Sequence, residues 1–269
     1  ALSHLSDDPK NTIVSAKRFM GRSQSDIKFS HPYELSGNKD DMPTFVTAQG
    51  EVSPVEVSAR ILATLKQRAA SALPADSIEG AVITVPAYFD EAQRQATKDA
   101  AQAAGINVLR LLNEPTAAAV AYGLDQPTQA DAKESYYLIY DLGGGTFDVS
   151  ILKLTDGVFE VLATGGNSAL GGDDIDRLLT NWLIKQLDID PKDVSRHDKS
   201  ILAQQAKTYK QALTDAEQVN IDITVNNQFY QGVLSREDLL VIIEPVSRRT
   251  LSVCEQVLRD AKLSSADLD

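Results

Sequence analysis

Three consecutive glycines, Gly143-Gly144-Gly145, stand between an apolar run ending Tyr140-Asp141-Leu142 and a second apolar run opening Thr146-Phe147-Asp148. Glycine has the widest backbone freedom of any residue, so no helix or strand is expected to continue through three of them. The chain must turn here, from one strand straight into another. Successive N–H groups in such a turn can face one concavity and hold phosphate oxygens, and Asp141 at the strand end would hold hydrated magnesium. A plain tight hairpin is the competing reading. The flanking acid, Thr146 and Asp148 favour phosphate. This is not a Walker loop, because no Gly-Lys-Ser/Thr appears, nor a dinucleotide fingerprint, because Gly-x-Gly-x-x-Gly is absent.

Around that turn the elements alternate, and no repeat or low-complexity tract interrupts them. Residues 11–21 read as a short helix stopped by Gly21, and 22–50 as an irregular stretch with two short strands. Ser53-Pro54-Val55-Glu56 is a capping box with proline at the first helical position, opening a helix to Leu73 whose Val57, Ile61, Leu62 and Leu65 keep helical spacing. Ala81-Val82-Ile83-Thr84-Val85 is a strand stopped by Pro86, followed by an alanine-rich helix over 90–104, Gly105 as its stop, and a second strand over 106–112. That unit predicts a parallel pair with a right-handed crossover. A helix starts near Pro115, and 125–134 is the best linker candidate. Strands follow at 136–142, 146–154 and 158–164, the last two joined by Asp156-Gly157, a strong hairpin signal. Helical spacing returns at 173–187 and 198–213. Strands at 217–225 and 228–234 flank a hairpin turn at Asn226-Asn227, and a last helix runs from Ser235 to about Lys262, adjusted near Pro245.

Composition narrows the partners. The 269 residues carry 26 Lys and Arg against 38 Asp and Glu, a net charge of −12 that argues against nucleic acid or an anionic membrane. One cysteine excludes a disulfide framework or a multi-cysteine metal site and fits a reducing compartment, so the cytoplasm is expected. No apolar run approaches a membrane span. The absence of an initial methionine and the plain polar tail suggest a piece of something longer. Among other candidates, Lys17 could neutralise a transferring phosphate, though a Lys17-Arg18 pair alone reads as a solvated face. Glu114 lies at a strand end, where ligands collect in α/β sheets. Gly171-Gly172-Asp173-Asp174 opens a helix whose N-terminus suits an anion, although the acids cap it equally well. Cys254 and Trp182 read as packing, and His4, His31 and His197 show no ligand spacing.

Four segments carry a resemblance: residues 82–89 (Val-Ile-Thr-Val-Pro-Ala-Tyr-Phe), 93–97 (Gln-Arg-Gln-Ala-Thr), 112–119 (Leu-Asn-Glu-Pro-Thr-Ala-Ala-Ala) and 141–148 (Asp-Leu-Gly-Gly-Gly-Thr-Phe-Asp). In this order they resemble the nucleotide-binding domain of the seventy-kilodalton heat-shock chaperones, the DnaK type, densely to about residue 180 and more loosely after it. Residues 165–174 and 206–215 look more like the branch specialised for iron–sulfur cluster assembly.

The resemblance implies an α/β, actin-like ATPase fold with a ribonuclease H-like motif, two lobes around a nucleotide cleft, truncated at both ends. Lobe I would cover 1–127 (1–54 outer, 55–127 inner) and lobe II 128–269 (128–172 and 254–269 inner, 173–253 outer). It implies that ATP or ADP binds with Mg2+, with K+ as a further ion. Lys17 would neutralise the phosphates and position the attacking water, Glu114 and Asp141 would serve the magnesium and water network, and Asp148 falls in the same motif. Gly143, Gly144, Gly145 and Thr146 would form the second phosphate loop. Gly172 and Asp173 would border the ribose, Lys210 and Thr214 would flank the adenine, and Pro86 with Arg94 would report nucleotide state to a substrate-binding domain.

The family's first phosphate loop and its Gly-Gly-x-x-Arg adenosine motif are missing, and Lys207 replaces an adenosine-contacting glutamate. The isolated chain is therefore expected to bind and hydrolyse ATP weakly. The implied partners are a J-type co-chaperone and a cluster scaffold protein, the cluster belonging to the client. A general folding chaperone, an actin-like or sugar-kinase relative and a catalytically dead binding module are the alternatives.

Overall fold

A computed structural model of the chain describes residues 8, 10–29, 31–74, 77–122, 134–225 and 228–269. His4, most of the linker candidate at 125–134 and the Asn226-Asn227 turn lie outside the described residues. Among those described, six α-helices and four small sheets form a mixed α/β structure.

The N-terminal segment departs from expectation. Residues 11–21 hold only a single 3-10 turn, Ala16–Phe19, entered through Ser15 at φ 54°. Tertiary packing decides this: the Phe19 ring is buried edge-on against Phe29, Tyr33 and Phe45, at centroid distances of 5.0, 6.0 and 4.9 Å, an arrangement favoured by aromatic quadrupoles. Beyond it three short antiparallel strands appear where two were expected: β1 (Leu35–Ser36), β2 (Thr44–Thr47) and β3 (Gly50–Val52).

Helix α1 (Pro54–Ala72) starts at the expected box, with Ser53 Oγ accepting from Glu56 N at 3.1 Å and Glu56 Oε2 from Ser53 N at 2.7 Å. Only part of its apolar stripe is covered: Val57 joins the aromatic cluster and Leu62 packs beside Met20, whereas Ile61 and Leu65 stay half exposed. Strand β4 (Ala81–Val85), helix α2 (Glu91–Ala103) and strand β5 (Val108–Asn113) form the expected parallel unit. The small side chains of Ala96 and Ala100 let α2 approach Met20 and Leu62 closely. Helix α3 (Glu114–Ala121) leaves β5 without an intervening loop.

Strands β6 (Ser135–Leu142), β7 (Phe147–Thr155) and β8 (Val158–Asn167) make an antiparallel sheet. Asp156 and Gly157 join the last two with φ of 50° and 78°, the double positive φ of a turn that matches strand twist. Every residue of β7 from 147 to 152 is buried, because α6 (Arg236–Asp260, through Pro245) and α3 pack on it. Each large side chain fully buried there contributes about 1.5–3 kcal/mol.

Helices α4 (Gly172–Gln186) and α5 (Arg196–Ala212) enclose a second core with the hairpin of β9 (Gln218–Val225) and β10 (Gln228–Ser235), centred on Leu179, Leu183, Leu202, Ile221 and Leu234. Trp182 packs at its margin, and Cys254 packs on the β7–α6 core, as expected of both. Among the described residues no helix is long and apolar enough to cross a membrane.

Candidate functional site

A cleft of about 460 Å³ opens between the 3-10 turn, the C-terminal end of β4, the start of α3 and the β6–β7 turn. It gathers Lys17, Glu114, Asp141, Gly143, Gly144, Gly145 and Thr146, so seven of the expected residues line one space. Each is placed by a local rule. Asp141 rides the penultimate position of β6, Glu114 opens α3 where β5 ends, and the glycine turn is closed by Gly143 N donating to Thr146 O at 2.9 Å. Among the described residues the amides of Gly144, Gly145 and Thr146 donate to no backbone carbonyl. Three successive free amides are what an anion-binding concavity requires.

Across the cleft, Lys17 Nζ lies 2.9 and 3.2 Å from the two carboxylate oxygens of Glu114 and 5.9 Å from the Phe89 ring centroid. Asp148 lies below the floor, only 5% exposed, and no hydrogen bond reaches either carboxylate oxygen. Burial, then the charges of Glu114 and Asp141, push its carboxyl up to about 7, with the Lys17 charge opposing. The Tyr88 hydroxyl is buried near it and likewise without a hydrogen bond. Burial and the Asp148 charge raise the pKa of that phenol.

The second glycine cluster serves the first. Gly172 N donates to Gly143 O at 2.9 Å and Asp173 N to Gly144 O at 2.8 Å, so α4 is seated end-on upon the glycine turn. A Cβ at Gly171 would stand 2.6 Å from Gly144 O, which only glycine avoids. The amides of Gly172 and Asp173, the two residues expected to border the ribose, are thus already occupied. The Asp173 carboxylate accepts from Ser15 Oγ at 2.5 Å. Lys210 is turned toward the same helix end, 2.5 Å from Asp176 Oδ1 and 3.2 Å from Gly172 O. Thr214 is exposed beyond α5, its carbonyl accepting from Arg236 at 2.8 Å, and does not line the cleft. Arg94 laces the Pro86 loop: Nε donates to Phe89 O at 2.9 Å, and one terminal nitrogen reaches Ala87 O at 3.1 Å, Pro86 O at 3.4 Å and Asn113 Oδ1 at 3.1 Å.

The reading of Arg18 as part of a solvated face is corrected. Its side chain is 7% exposed and bridges Gly145 O to Asp174. Neither it nor Ser15 carries a sequence signal, because their partners lie more than 120 positions away.

A family model described as "Hsp70 protein" matches residues 1–269. The chain belongs to the Hsp70 family. Similar proteins named "Chaperone protein HscA homolog" come from Acinetobacter baumannii (strain AYE), 57% identical over 261 residues, and Burkholderia multivorans (strain ATCC 17616 / 249), 51% identical over 274 residues. These matches cover 97% and 100% of this chain but only 41% and 42% of those relatives. The Acinetobacter baylyi relative of the same name is 56% identical over 265 residues, with 98% and 42% coverage. Hsp70 membership implies the actin-like ATPase fold, and the mixed α/β architecture agrees with it.

Proposed function

We propose that this chain is part of the ATPase domain of an Hsp70 chaperone that couples ATP hydrolysis to client binding and release during iron–sulfur cluster assembly. The observation that carries the reading is the cleft itself, where the Lys17–Glu114 pair faces three free amides of a glycine turn. Two lobes, divided near residue 127, would flank it, with 55–127, 128–172 and 254–269 as inner parts and 1–54 and 173–253 as outer parts. The shared name of the relatives and the 165–174 segment favour cluster assembly over general folding.

Phosphoryl transfer to water is chiefly a matter of positioning and charge compensation. Lys17, aimed by Glu114, compensates charge on the transferring phosphate and orients the water. The amides of Gly144, Gly145 and Thr146 hold phosphate oxygens. Asp148, buried beneath the floor beside Glu114 and Asp141, would act on the reacting groups through its charge. Gly172, Asp173 and Lys210 would border the nucleoside, Lys210 and the helix end through their mutual contacts.

The donor set fits magnesium in one particular way. Among the described residues no three acidic, histidine or cysteine side chains converge on a metal, so Asp141 and Glu114 would hold Mg2+ through water while phosphates complete its shell. When bound, the ion would neutralise phosphate charge. K+ would be a further ion accompanying the nucleotide. Pro86 and Arg94 would pass nucleotide state to a substrate-binding domain, a J-type co-chaperone and a cluster scaffold would stimulate turnover, and the setting would be the cytoplasm.

The deciding experiment is steady-state ATP turnover by the full-length protein, with and without a J-type co-chaperone plus scaffold, against Lys17→Ala. Strong stimulation by that pair, lost in Lys17→Ala, is expected. Equal stimulation by unrelated unfolded peptides would transfer the reading to a general chaperone.

A further inference from the structure

Arg18 sits beside Lys17 in sequence and lines the same cleft, but its side chain is almost wholly covered. Its side chain is 7% exposed, its Nε donates to Gly145 O at 2.6 Å, and a terminal nitrogen donates to Asp174 Oδ2 at 2.9 Å. The Phe29 ring lies against the guanidinium, 5.7 Å from Cζ. Asp174 is itself fixed, accepting from Gly171 N at 3.0 Å and from Arg177 at 2.9 Å. Each end of the Arg18 fork is therefore anchored. A lysine could satisfy one of these acceptors but not both, because its ammonium is a point charge rather than a planar fork.

The peptide unit is planar and trans, so its carbonyl and its amide point in opposite directions. Holding Gly145 O therefore fixes the direction of the Thr146 N–H, which donates to no backbone carbonyl among the described residues. Lys17 is the preceding residue, and Ser15 two positions before it is tied to Asp173 at 2.5 Å. The segment bearing the lysine and the turn bearing the free amides are thus fastened together on both sides of Lys17.

We propose that Arg18 is a positioning residue for phosphoryl transfer: it aims the Thr146 amide into the cleft and sets its distance from the Lys17 ammonium. This rests on the nucleotide reading above and adds a residue to it. The effect belongs on the chemical step, since small misplacement of an already bound phosphate costs rate more than binding.

The test compares Arg18→Lys with Asp174→Asn in the full-length protein, reading kcat, KM for Mg-ATP and thermal midpoint. Arg18→Lys keeps a cation for Asp174 but gives up the Gly145 carbonyl, so kcat should fall about tenfold to a hundredfold with KM little changed. Asp174→Asn keeps the Arg18–Gly145 bond while weakening the ion pair, so it should lose more thermal stability than Arg18→Lys yet keep kcat within about threefold. If Arg18→Lys fails to fold, Asp174→Asn alone decides: a clear loss of thermal stability with kcat kept within about threefold supports the inference, and a kcat loss beyond about tenfold overturns it. Activity losses that follow stability losses, or normal kcat in the Arg18 variant, overturn the inference while the ATPase reading stands. An unsubstituted protein with no ATP turnover removes that reading, and this inference with it.

Discussion

The ammonium of Lys17 is held by the carboxylate of Glu114, 2.9 Å away, although 97 positions separate the two in sequence. The lysine is 42% exposed on the cleft side and the glutamate only 18%, so the pair presents its positive end to the space where a phosphate would lie. Lys17→Ala is expected to lower kcat for ATP by about a hundredfold to a thousandfold, the usual cost of removing one preorganised charge partner. The stability cost should stay below about 1 kcal/mol, since a half-exposed pair is worth little. Turnover and urea unfolding on the same preparations check both parts, and normal kcat would remove Lys17 from the chemistry.

Asp148 should make stability fall as pH rises. Its folded pKa, about 7, lies above the ordinary 3.8, so the native state binds more protons between those values. Stability is then greatest below about pH 4 as far as this group is concerned, and is lost as pH rises through 7. Asp148→Asn removes the titration. Its urea midpoint, relative to the unsubstituted chain, should be higher at pH 8 than at pH 4.5. A difference independent of pH would mean that Asp148 is ionised across the range.

What was legible in the sequence was local. The box at Ser53/Glu56, the Asp156-Gly157 turn and the strand–glycine–strand turn at 141–148 are written in neighbouring residues and appear as expected. Interactions between distant segments were not legible. The 11–21 stretch was taken from helical expectation by the aromatic cluster, Arg18 was drawn inward by Gly145 and Asp174, and Ile61 and Leu65 kept helical spacing without a neighbour to cover them. Thr214 kept its place in a family pattern, yet its position depends on how α5 ends against Arg236.

The seating of α4 on the glycine turn predicts a contrast between two glycines. A Cβ at Gly171 would lie 2.6 Å from Gly144 O and 2.7 Å from Gly143 O, both backbone atoms that cannot swing aside. Gly171→Ala should therefore cost about 1–3 kcal/mol, as overpacking does. Gly144 has nothing within 4 Å of the corresponding position, so Gly144→Ala should unfold near the normal temperature. Calorimetry of the two variants decides it, and equal destabilisation would contradict the end-on packing.

Arg94 joins the Pro86 loop to Asn113, the residue immediately before Glu114. Its four acceptors are Phe89 O, Ala87 O, Pro86 O and Asn113 Oδ1, and removing the guanidinium would leave these part-buried oxygens short of donors. Arg94→Met keeps the aliphatic stem and should cost about 1–3 kcal/mol through the unpaired groups. Lys17 and Glu114 still contact each other directly, so basal ATP turnover should stay within a few fold. The link from that pair to the Pro86 loop would be cut, because Phe89, whose carbonyl Arg94 holds, also lays its ring beside Lys17. ATP-driven release of a fluorescent peptide from the full-length protein should therefore slow by about tenfold or more while hydrolysis continues, a separation expected of a coupling element. Release and hydrolysis falling together would show that Arg94 supports the cleft and carries no signal out of it.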